Sequence, residues 1–233
     1  VPREDIQRLL EKDPERVVVV DEAYVDFGGE SCVPMIYRYD NLLVVQTMSK
    51  SRSLAGGRVG FALGSPALIA ALNRVKYSFN PYNVNRLSLI AGTAAVEDEA
   101  YFRSCCETIR ENRAWLTEEL EGLGFAVLLS PANLVFARCG RIPGGDLYRQ
   151  LKENGILVRW FDKDRIRDFV RITVGSMEQL AALAARLQHQ HHDEENDGGS
   201  IAAGLLMDGF VPGLGQGGGQ RGSRLAHLLH GRY

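Results

Sequence analysis

The first half of the chain alternates short apolar runs with helical patterns. Residues 17–20 form a continuous valine run, residues 42–45 form a second apolar run, and residues 58–64 predict a third short strand. Uninterrupted runs of this length between polar residues are typical of strands buried on both faces of a parallel sheet. Apolar positions at helical spacing predict helices over residues 3–12 and 66–75.

The second half of the chain has a different pattern of apolar and polar positions. A helical pattern runs through residues 83–122, with a break expected near Asp98. Beyond it, short apolar segments predict strands at residues 125–129, 133–139, 156–160 and 169–175, and helices at 144–155 and 176–187. This order predicts an α/β unit followed by a smaller α+β unit.

These patterns divide the chain into four segments. Residues 1–82 are predicted to be part of a large α/β domain, 83–122 connecting helices, 123–188 a small C-terminal domain, and 189–233 a tail. The tail is rich in glycine and in charged residues, so it buries little apolar surface and is predicted to be disordered. Because the sequence opens at Val1 within a helical pattern, we expect it to be a fragment or a processed product.

Composition and charge exclude several classes of protein. The 233 residues are 45% hydrophobic, which is enough for one large core or two smaller ones. The formal net charge is −2 and no basic block is present, so we expect no nucleic-acid partner. No apolar run approaches the length of a membrane span. The four cysteines match no metal motif and all five histidines follow residue 188, so we expect reduced thiols and no metal site.

Asp21 is the first candidate for chemistry, because it directly follows the valine run. Ligands of open α/β sheets bind outside the carboxyl ends of the strands. A carboxylate in that position is costly to bury unless it meets a cation. Tyr24 lies three residues further on and can reach the same ligand. On local sequence alone, a helix cap or a surface acid remains an equal alternative for Asp21.

Lys50 is the second candidate and lies in the stretch TMSKSRSLAGGRVGFALG, just past the second apolar run. A lysine in a partly desolvated pocket becomes a nucleophile toward carbonyl groups. Thr47 and Ser49 offer hydroxyls nearby, and Arg58 offers the planar donors that suit a phosphate. The spacing of the glycines matches neither the G-x-x-x-x-G-K-[ST] loop nor the G-x-G-x-x-G loop of nucleotide-binding proteins. A surface lysine remains the alternative interpretation.

One ligand satisfies these candidates together. It needs an aldehyde for Lys50, a phosphate for Ser49 and Arg58, and a basic ring nitrogen for Asp21. Pyridoxal 5'-phosphate carries all three groups, and proteins hold it through a lysine Schiff base with an acid at the ring nitrogen.

Two arginines of the second half can bind anions. Arg159 and Arg171 lie on strands that we expect to be neighbours, and each can form bidentate bonds to a carboxylate or phosphate. An arginine on the surface of a strand is the alternative for each of them.

The segments DEAYVDF, TMSKSRSLAGGRVGFALG, NPYNVNRLS and VRITVG, in this order, resemble histidinol-phosphate aminotransferases over residues 1–187. The resemblance implies an α/β fold of the class-II subfamily: the C-terminal part of a fold-type I pyridoxal-phosphate-dependent transferase, with the parallel-rich sheet of the large domain followed by a small α+β domain. It also implies a cytoplasmic homodimer that transfers an amino group between L-histidinol phosphate and 2-oxoglutarate, with glutamate as the amino donor, in histidine biosynthesis.

The resemblance assigns a role to each cofactor-binding candidate. Lys50 matches the catalytic lysine that forms the Schiff base and shuttles a proton. Asp21 matches the acid that keeps the pyridine nitrogen protonated, and Tyr24 matches the tyrosine that bonds the 3-oxygen of the ring. Ser49 and Arg58 match ligands of the cofactor phosphate. Thr47 is grouped with these cofactor-binding residues.

The substrate-side roles fall on the two arginines. Arg171 matches the arginine that grips the substrate carboxylate or takes part in holding the phosphorylated substrate, and Arg159 resembles a second substrate-side arginine.

The family's N-terminal part has no counterpart in this sequence. That part supplies a glycine-containing phosphate loop, an aromatic that stacks on the cofactor ring, an asparagine and a tyrosine that reaches the partner's site. We therefore expect the chain alone to have weak or no activity, and a catalytically incompetent fragment is the first alternative. An aromatic amino acid aminotransferase and a pyridoxal-phosphate-dependent decarboxylase of amino-acid phosphates are the others.

Overall fold

The computed structural model describes residues 1–189. They fall into two compact units. The first contains Val1–Ala114 and Leu129–Leu134, and the second contains Trp115–Leu128 and the residues from Val135 onward. The glycine-rich segment that we predict to be disordered lies, from residue 190 on, outside the described residues, and its disorder stays a prediction.

The first unit is built on a three-stranded sheet in the order β1-β2-β3. The strands are β1 (Val18–Asp21), β2 (Leu42–Thr47) and β3 (Gly60–Gly64). β1 runs parallel to β2, with Asp21 opposite Val45, whereas β3 runs antiparallel to β2. The sheet is therefore mixed in this part of the chain, within an α/β arrangement.

One side of this sheet is covered by helix α1 (Arg3–Lys12). Ile6 and Leu10 of α1 form a buried cluster with Cys32, Leu42 and Val44. The central strand β2 is apolar and buried over its first three residues, as expected from its sequence. Burial of these aliphatic side chains is the main contribution to the stability of this unit.

β1 is not buried on both faces, and that prediction is wrong. Val17 and Val19 are 46% and 58% exposed, whereas Val18 and Val20 pack against the α1 cluster. β1 has β2 as its only strand neighbour within residues 1–189. The N–H groups of Val18 and Glu22 point toward β2. Because successive N–H groups of a strand point to opposite sides, those of Val19 and Asp21 point to the outer edge of β1.

Three helices follow the sheet. They are α2 (Pro66–Phe79), α3 (Arg86–Glu97) and α4 (Glu99–Gly122). The Asn85 side chain caps α3 by accepting a bond from the Ser88 N–H at 2.9 Å. Asp98 separates α3 from α4 and accepts a bond from the Tyr101 N–H at 3.3 Å. The predicted break near Asp98 is confirmed.

The second unit contains a four-stranded sheet in the order β4-β5-β7-β6. Its elements are β4 (Phe125–Leu128), β5 (Leu134–Cys139), α5 (Gly144–Glu153), β6 (Arg159–Trp160), β7 (Phe169–Thr173) and a helix, α6, over residues 177–189. Burial alternates along β5 and β7, with Val135, Ala137, Val170 and Ile172 inside. The other face of this sheet carries aromatic and arginine side chains.

Two kinds of feature are absent from the part of the chain that the structure describes. None of its helices is both long enough and apolar enough to cross a bilayer. Within residues 1–189, no group of three or more His, Cys, Asp or Glu side chains is arranged to hold a metal ion.

Candidate active site

The carboxyl ends of β1 and β2 lie side by side, because the two strands are parallel and in register up to Asp21 and Val45. The Glu22 N–H donates to the Val45 carbonyl at 2.8 Å and extends this pairing by one residue. β1 ends at Asp21 and is followed by Tyr24, and the segment after β2 carries Lys50. Both sequence motifs therefore lie at the same edge of the sheet, which is where ligands of α/β sheets bind.

Lys50 and Tyr24 are brought together at this edge. The Lys50 Nζ lies 5.3 Å from the centroid of the Tyr24 ring. An ammonium group at this distance from an aromatic face is attracted by the ring quadrupole. Lys50 is exposed and Tyr24 is half-buried, so the partly desolvated pocket expected for the lysine is not what the described residues form. The amine is positioned by the ring rather than enclosed.

Asp21 occupies the last position of β1 and is exposed. Its Oδ1 accepts a hydrogen bond from the Ala23 N–H at 3.0 Å. This local bond fixes the direction of the carboxylate where the strand ends. Both interpretations of Asp21 therefore describe its geometry, since it caps its own turn and also presents a carboxylate at the ligand edge.

Thr47 and Ser49 form a small hydroxyl cluster at the end of β2. Their side-chain oxygens lie 3.0 Å apart, and the Ser49 N–H donates to the Thr47 hydroxyl at 3.1 Å. The Thr47 hydroxyl also lies 3.3 Å from the carbonyl of Val59, the residue after Arg58. The structure therefore brings together the predicted phosphate-side hydroxyls and links them to the strand that follows Arg58.

Arg58 adopts a backbone conformation that is unusual for its residue type. Its φ is 53°, and Ser53, earlier in the same loop, has a φ of 54°. Non-glycine residues in the left-handed region each cost about 1 kcal/mol and cluster at functional sites. The exposed Arg58 side chain donates to the Ala55 carbonyl at 3.1 Å. The loop between Lys50 and Arg58 is thus held in a specific, strained shape.

Glu22 was given no role from the sequence, yet it is the best-connected acid of this region. It is only 7% exposed and accepts bonds from the Ser31 hydroxyl at 2.7 Å, the Gln46 amide at 2.9 Å and the Cys32 N–H. These bonds fasten the segment after β1 to β2. Burial, and secondarily the Glu22 carboxylate, raises the pKa of the Cys32 thiol. An acid at the second position after the valine run was the only sequence signal for this role.

The loop that follows Lys50 is fastened by three further contacts. The buried Ser51 hydroxyl donates to the Asp26 carboxylate. Arg52 donates to the Ala95 carbonyl at 2.6 Å, and its guanidinium carbon lies 3.5 Å from the centroid of the Phe102 ring. Arg52 thus packs this loop against α3 and α4.

Arg159 and Arg171 belong to the second unit and face each other across the antiparallel pair of β6 and β7. Their guanidinium carbons lie 5.4 and 5.8 Å from the centroid of the same ring, that of Phe161. The Arg171 Nε is buried and has no hydrogen-bond partner among the described residues. The expectation that these arginines lie on neighbouring strands is therefore confirmed, whereas their role stays a prediction.

Comparisons with known proteins cover most of this chain. Residues 1–187 match the sequence profile of the family described as "Aminotransferase class I and II". The chain is 53% identical over 188 residues to "Histidinol-phosphate aminotransferase 2" of Dechloromonas aromatica, covering 81% of this chain and 53% of that protein. It is 55% identical over 183 residues to "Histidinol-phosphate aminotransferase 1" of Bradyrhizobium diazoefficiens, covering 78% and 52% respectively. The chain spans about half the length of the curated relatives it matches.

Solved structures show the same relationship at the level of the fold. A putative histidinol-phosphate aminotransferase from Erwinia carotovora atroseptica superposes with a TM-score of 0.75 at 26% identity, over 83% of this chain and 56% of that one. The histidinol-phosphate aminotransferase of Sinorhizobium meliloti, solved in complex with pyridoxal-5'-phosphate, superposes with a TM-score of 0.71 at 23% identity, over 83% and 54%. The predicted α/β fold class is confirmed.

Proposed function

This chain belongs to the class I and II aminotransferase family, and we propose that it supplies the lysine-bearing part of a pyridoxal-phosphate-dependent aminotransferase. The reaction is the reversible transfer of an amino group between L-histidinol phosphate and 2-oxoglutarate in histidine biosynthesis. Identities of 53% and 55% to relatives named for this activity support the choice of substrate. The observation that carries the proposal is the position of the Lys50 amine beside Tyr24, where β1 and β2 end.

The side chains at this edge have the chemistry that pyridoxal 5'-phosphate requires. Lys50 offers an amine for the aldehyde, Asp21 a carboxylate for the ring nitrogen, and Tyr24 a phenol for the 3-oxygen. Thr47 and Ser49 offer hydroxyls to the phosphate, and the Arg58 guanidinium offers charge. The cofactor, when bound, supplies an electron sink for the bond that breaks at the substrate α-carbon.

Lys50 is the catalytic residue of this proposal. Its Nζ would hold the cofactor covalently, and as the free amine it would accept the proton released at the substrate α-carbon. The Tyr24 ring lies beside this amine and positions it. Asp21 would offer its carboxylate to the ring nitrogen, and the hydrogen bond from the Ala23 N–H holds that carboxylate in place.

Arg159 and Arg171 are proposed to bind the anionic groups of the substrates. Bidentate bonds from a guanidinium match both a carboxylate, as in glutamate and 2-oxoglutarate, and a phosphate, as in histidinol phosphate. The Arg171 Nε has no hydrogen-bond partner within residues 1–189, which supports an oxyanion ligand at this residue. Homodimerisation and a cytoplasmic location belong to the same proposal and are supported by the family alone.

The proposal is tested by adding pyridoxal 5'-phosphate to the purified chain and recording its visible absorbance. We expect a yellow species that borohydride reduction and peptide mapping locate at Lys50. Lys50→Ala abolishes this species, and Lys50→Arg, which keeps the charge, abolishes it as well. A cofactor adduct that is unchanged in both variants, or no adduct with the parent chain, would contradict the proposal.

Turnover separates the proposal from its alternatives. With histidinol phosphate and 2-oxoglutarate, we expect weak or no activity from this chain alone, because the family's N-terminal part of the cofactor shell has no counterpart in it. Ordinary turnover would overturn the alternative of an incompetent fragment. Preferential reaction with aromatic amino acids, or release of carbon dioxide from an amino-acid phosphate, would assign one of the other two activities.

A further inference from the structure

Two like charges are placed opposite each other on the second unit's sheet. Arg159 and Arg171 are direct partners in the β6–β7 pairing, and such partners project from the same face with their Cβ atoms about 5 Å apart. Like charges in this arrangement destabilise a sheet. The ion pairs within residues 1–189 include neither arginine, so no acid of the described residues is in direct contact with either guanidinium group.

The Phe161 ring takes the place of an acid between them. Its centroid lies 5.4 Å from the guanidinium carbon of Arg159 and 5.8 Å from that of Arg171. Both distances are within the range of cation–π attraction, which draws a cation to the face of a ring without neutralising its charge. A single half-buried ring therefore holds both guanidinium groups on one side of the sheet while leaving their full charge available to a ligand.

Arg171 shows what kind of ligand suits this arrangement. Its Nε is buried without a hydrogen-bond partner in the described chain, and a buried donor without a partner is costly. Bidentate binding of an oxyanion uses the Nε together with a terminal nitrogen of the same guanidinium. A second cation beside this donor favours an oxyanion with two negative charges over one with a single charge, because the Coulomb attraction counts both cations and both charges.

We infer that Phe161 is a positioning residue whose ring sets Arg159 and Arg171 side by side and so makes the pair favour a dianionic phosphate group over a monocarboxylate. The inference deepens the proposed function, on which it rests, by naming the residue that selects the phosphorylated substrate. Phe161 acts through the two arginines and touches no reacting atom.

A neighbouring aromatic pair on the same face provides a matched control. Phe136 stacks on Phe169 with their ring centroids 4.8 Å apart, and the guanidinium carbon of Arg138 lies 5.8 Å from the Phe169 ring. The cation–π contacts of Arg159 and Arg171 are with Phe161 and not with Phe136. Phe136→Leu therefore removes an aromatic ring of the same size from the same sheet and leaves these cation–π contacts in place.

The experiment titrates inorganic phosphate, and separately acetate, into the full chain and into its Phe161→Met, Phe161→Leu and Phe161→Tyr variants. Binding is followed by the NMR shift of the Arg171 Nε–H, which separates this site from the hydroxyls near Lys50. Loss of the ring should weaken phosphate binding about tenfold, while acetate binding changes less than about twofold. Phe161→Tyr should retain the phosphate affinity of the parent chain, and Phe136→Leu should leave it unchanged.

Several results would overturn the inference. They are undiminished phosphate affinity in Phe161→Met, an equal fall in the affinities for phosphate and acetate, or no phosphate-dependent shift in the parent chain. Phe161→Met keeps nearly the volume of the ring, so it provides a folded variant if Phe161→Leu does not fold. The Lys50→Ala chain should bind phosphate at Arg171 as the parent chain does. The phosphate titration therefore gives a result even if no cofactor adduct forms at Lys50.

Discussion

The hydroxyl of Ser51 donates a hydrogen bond to the carboxylate of Asp26, which lies 25 residues earlier in the chain. Ser51 directly follows Lys50 and is only 5% exposed. The bond therefore ties the loop that carries the lysine to the segment that carries Tyr24. The relative position of the two motifs is held by a contact between residues that belong to neither predicted set of ligands.

Replacing Ser51 by alanine should destabilise the first unit by about 1 kcal/mol, because the Asp26 carboxylate loses a donor and a buried bond is lost. Thermal unfolding followed by circular dichroism measures the effect. Ser104→Ala, at an exposed position of α4, is the matched control and should leave the midpoint unchanged or slightly raised. Equal midpoints for both variants would mean that the Ser51–Asp26 bond contributes nothing to stability.

Glu22→Gln should lower the free energy of unfolding by about 2 kcal/mol, which is more than Ser51→Ala. The buried carboxylate accepts hydrogen bonds from three donors, and the single oxygen of an amide cannot accept them all. Urea unfolding of the chain measures the change in free energy. Glu15→Gln, an exposed residue before β1, is the control and should change stability little. A Glu22→Gln chain as stable as the parent would show that these donors are satisfied equally well by a neutral group.

The thiols should differ in their reactivity with pH. Burial is the main cause that raises the pKa of Cys32 and of Cys106, with the Glu22 and Asp26 carboxylates as the second causes. A raised pKa means less of the reactive thiolate at any given pH, so alkylation of both should become appreciable only above the ordinary thiol pKa. Mass spectrometry after iodoacetamide treatment at neutral and alkaline pH should show Cys105, which is half-buried, labelled first. Rapid labelling of Cys32 at neutral pH in the folded chain would contradict this order.

Gly144→Ala should destabilise the second unit by about 2 kcal/mol, since there is no room for a methyl group. A Cβ at this position would lie 2.5 Å from the carbonyl oxygen of Arg167 and 2.7 Å from the carbonyl carbon of Asp168. Gly140 is the matched control, because a Cβ there meets nothing within 4 Å. Differential scanning calorimetry of both variants measures the difference, and a Gly144→Ala transition at the temperature of the parent would show that the start of α5 shifts without cost.

The sequence was sufficient to predict most helices and strands, but not what covers them. The helical periodicity of α3 and α4 and the break at Asp98 came from local side-chain polarity, which a sequence records directly. A run of four valines, however, looks the same in a central strand and in a strand covered on one face. The exposure of Val17 and Val19 depends on what lies across the sheet, and residue patterns do not contain that information.

The candidate site was predicted in part: its ligand-side residues were named from the sequence, but the contacts that hold them were not. Lys50 and Tyr24 were expected to meet because the carboxyl ends of parallel strands share one edge, and this geometry follows from topology. The roles of Glu22 and Asp26 were not predicted, because their hydrogen-bond partners lie 9 to 25 residues away in the sequence, beyond any local motif. The left-handed conformation of Arg58 also left no trace, since the sequence signal for that conformation is glycine.

The outer edge of β1 has a practical consequence for handling this protein. It combines backbone groups that have no strand partner within residues 1–189 with an exposed valine, which is the combination that lets strands of separate molecules add to one another. Such addition is second order in protein concentration, so the shelf life of a stock should fall as the stock is concentrated, even well below its melting temperature. Val19→Lys places a charge on that strand and should lengthen the storage time without altering the Lys50 loop.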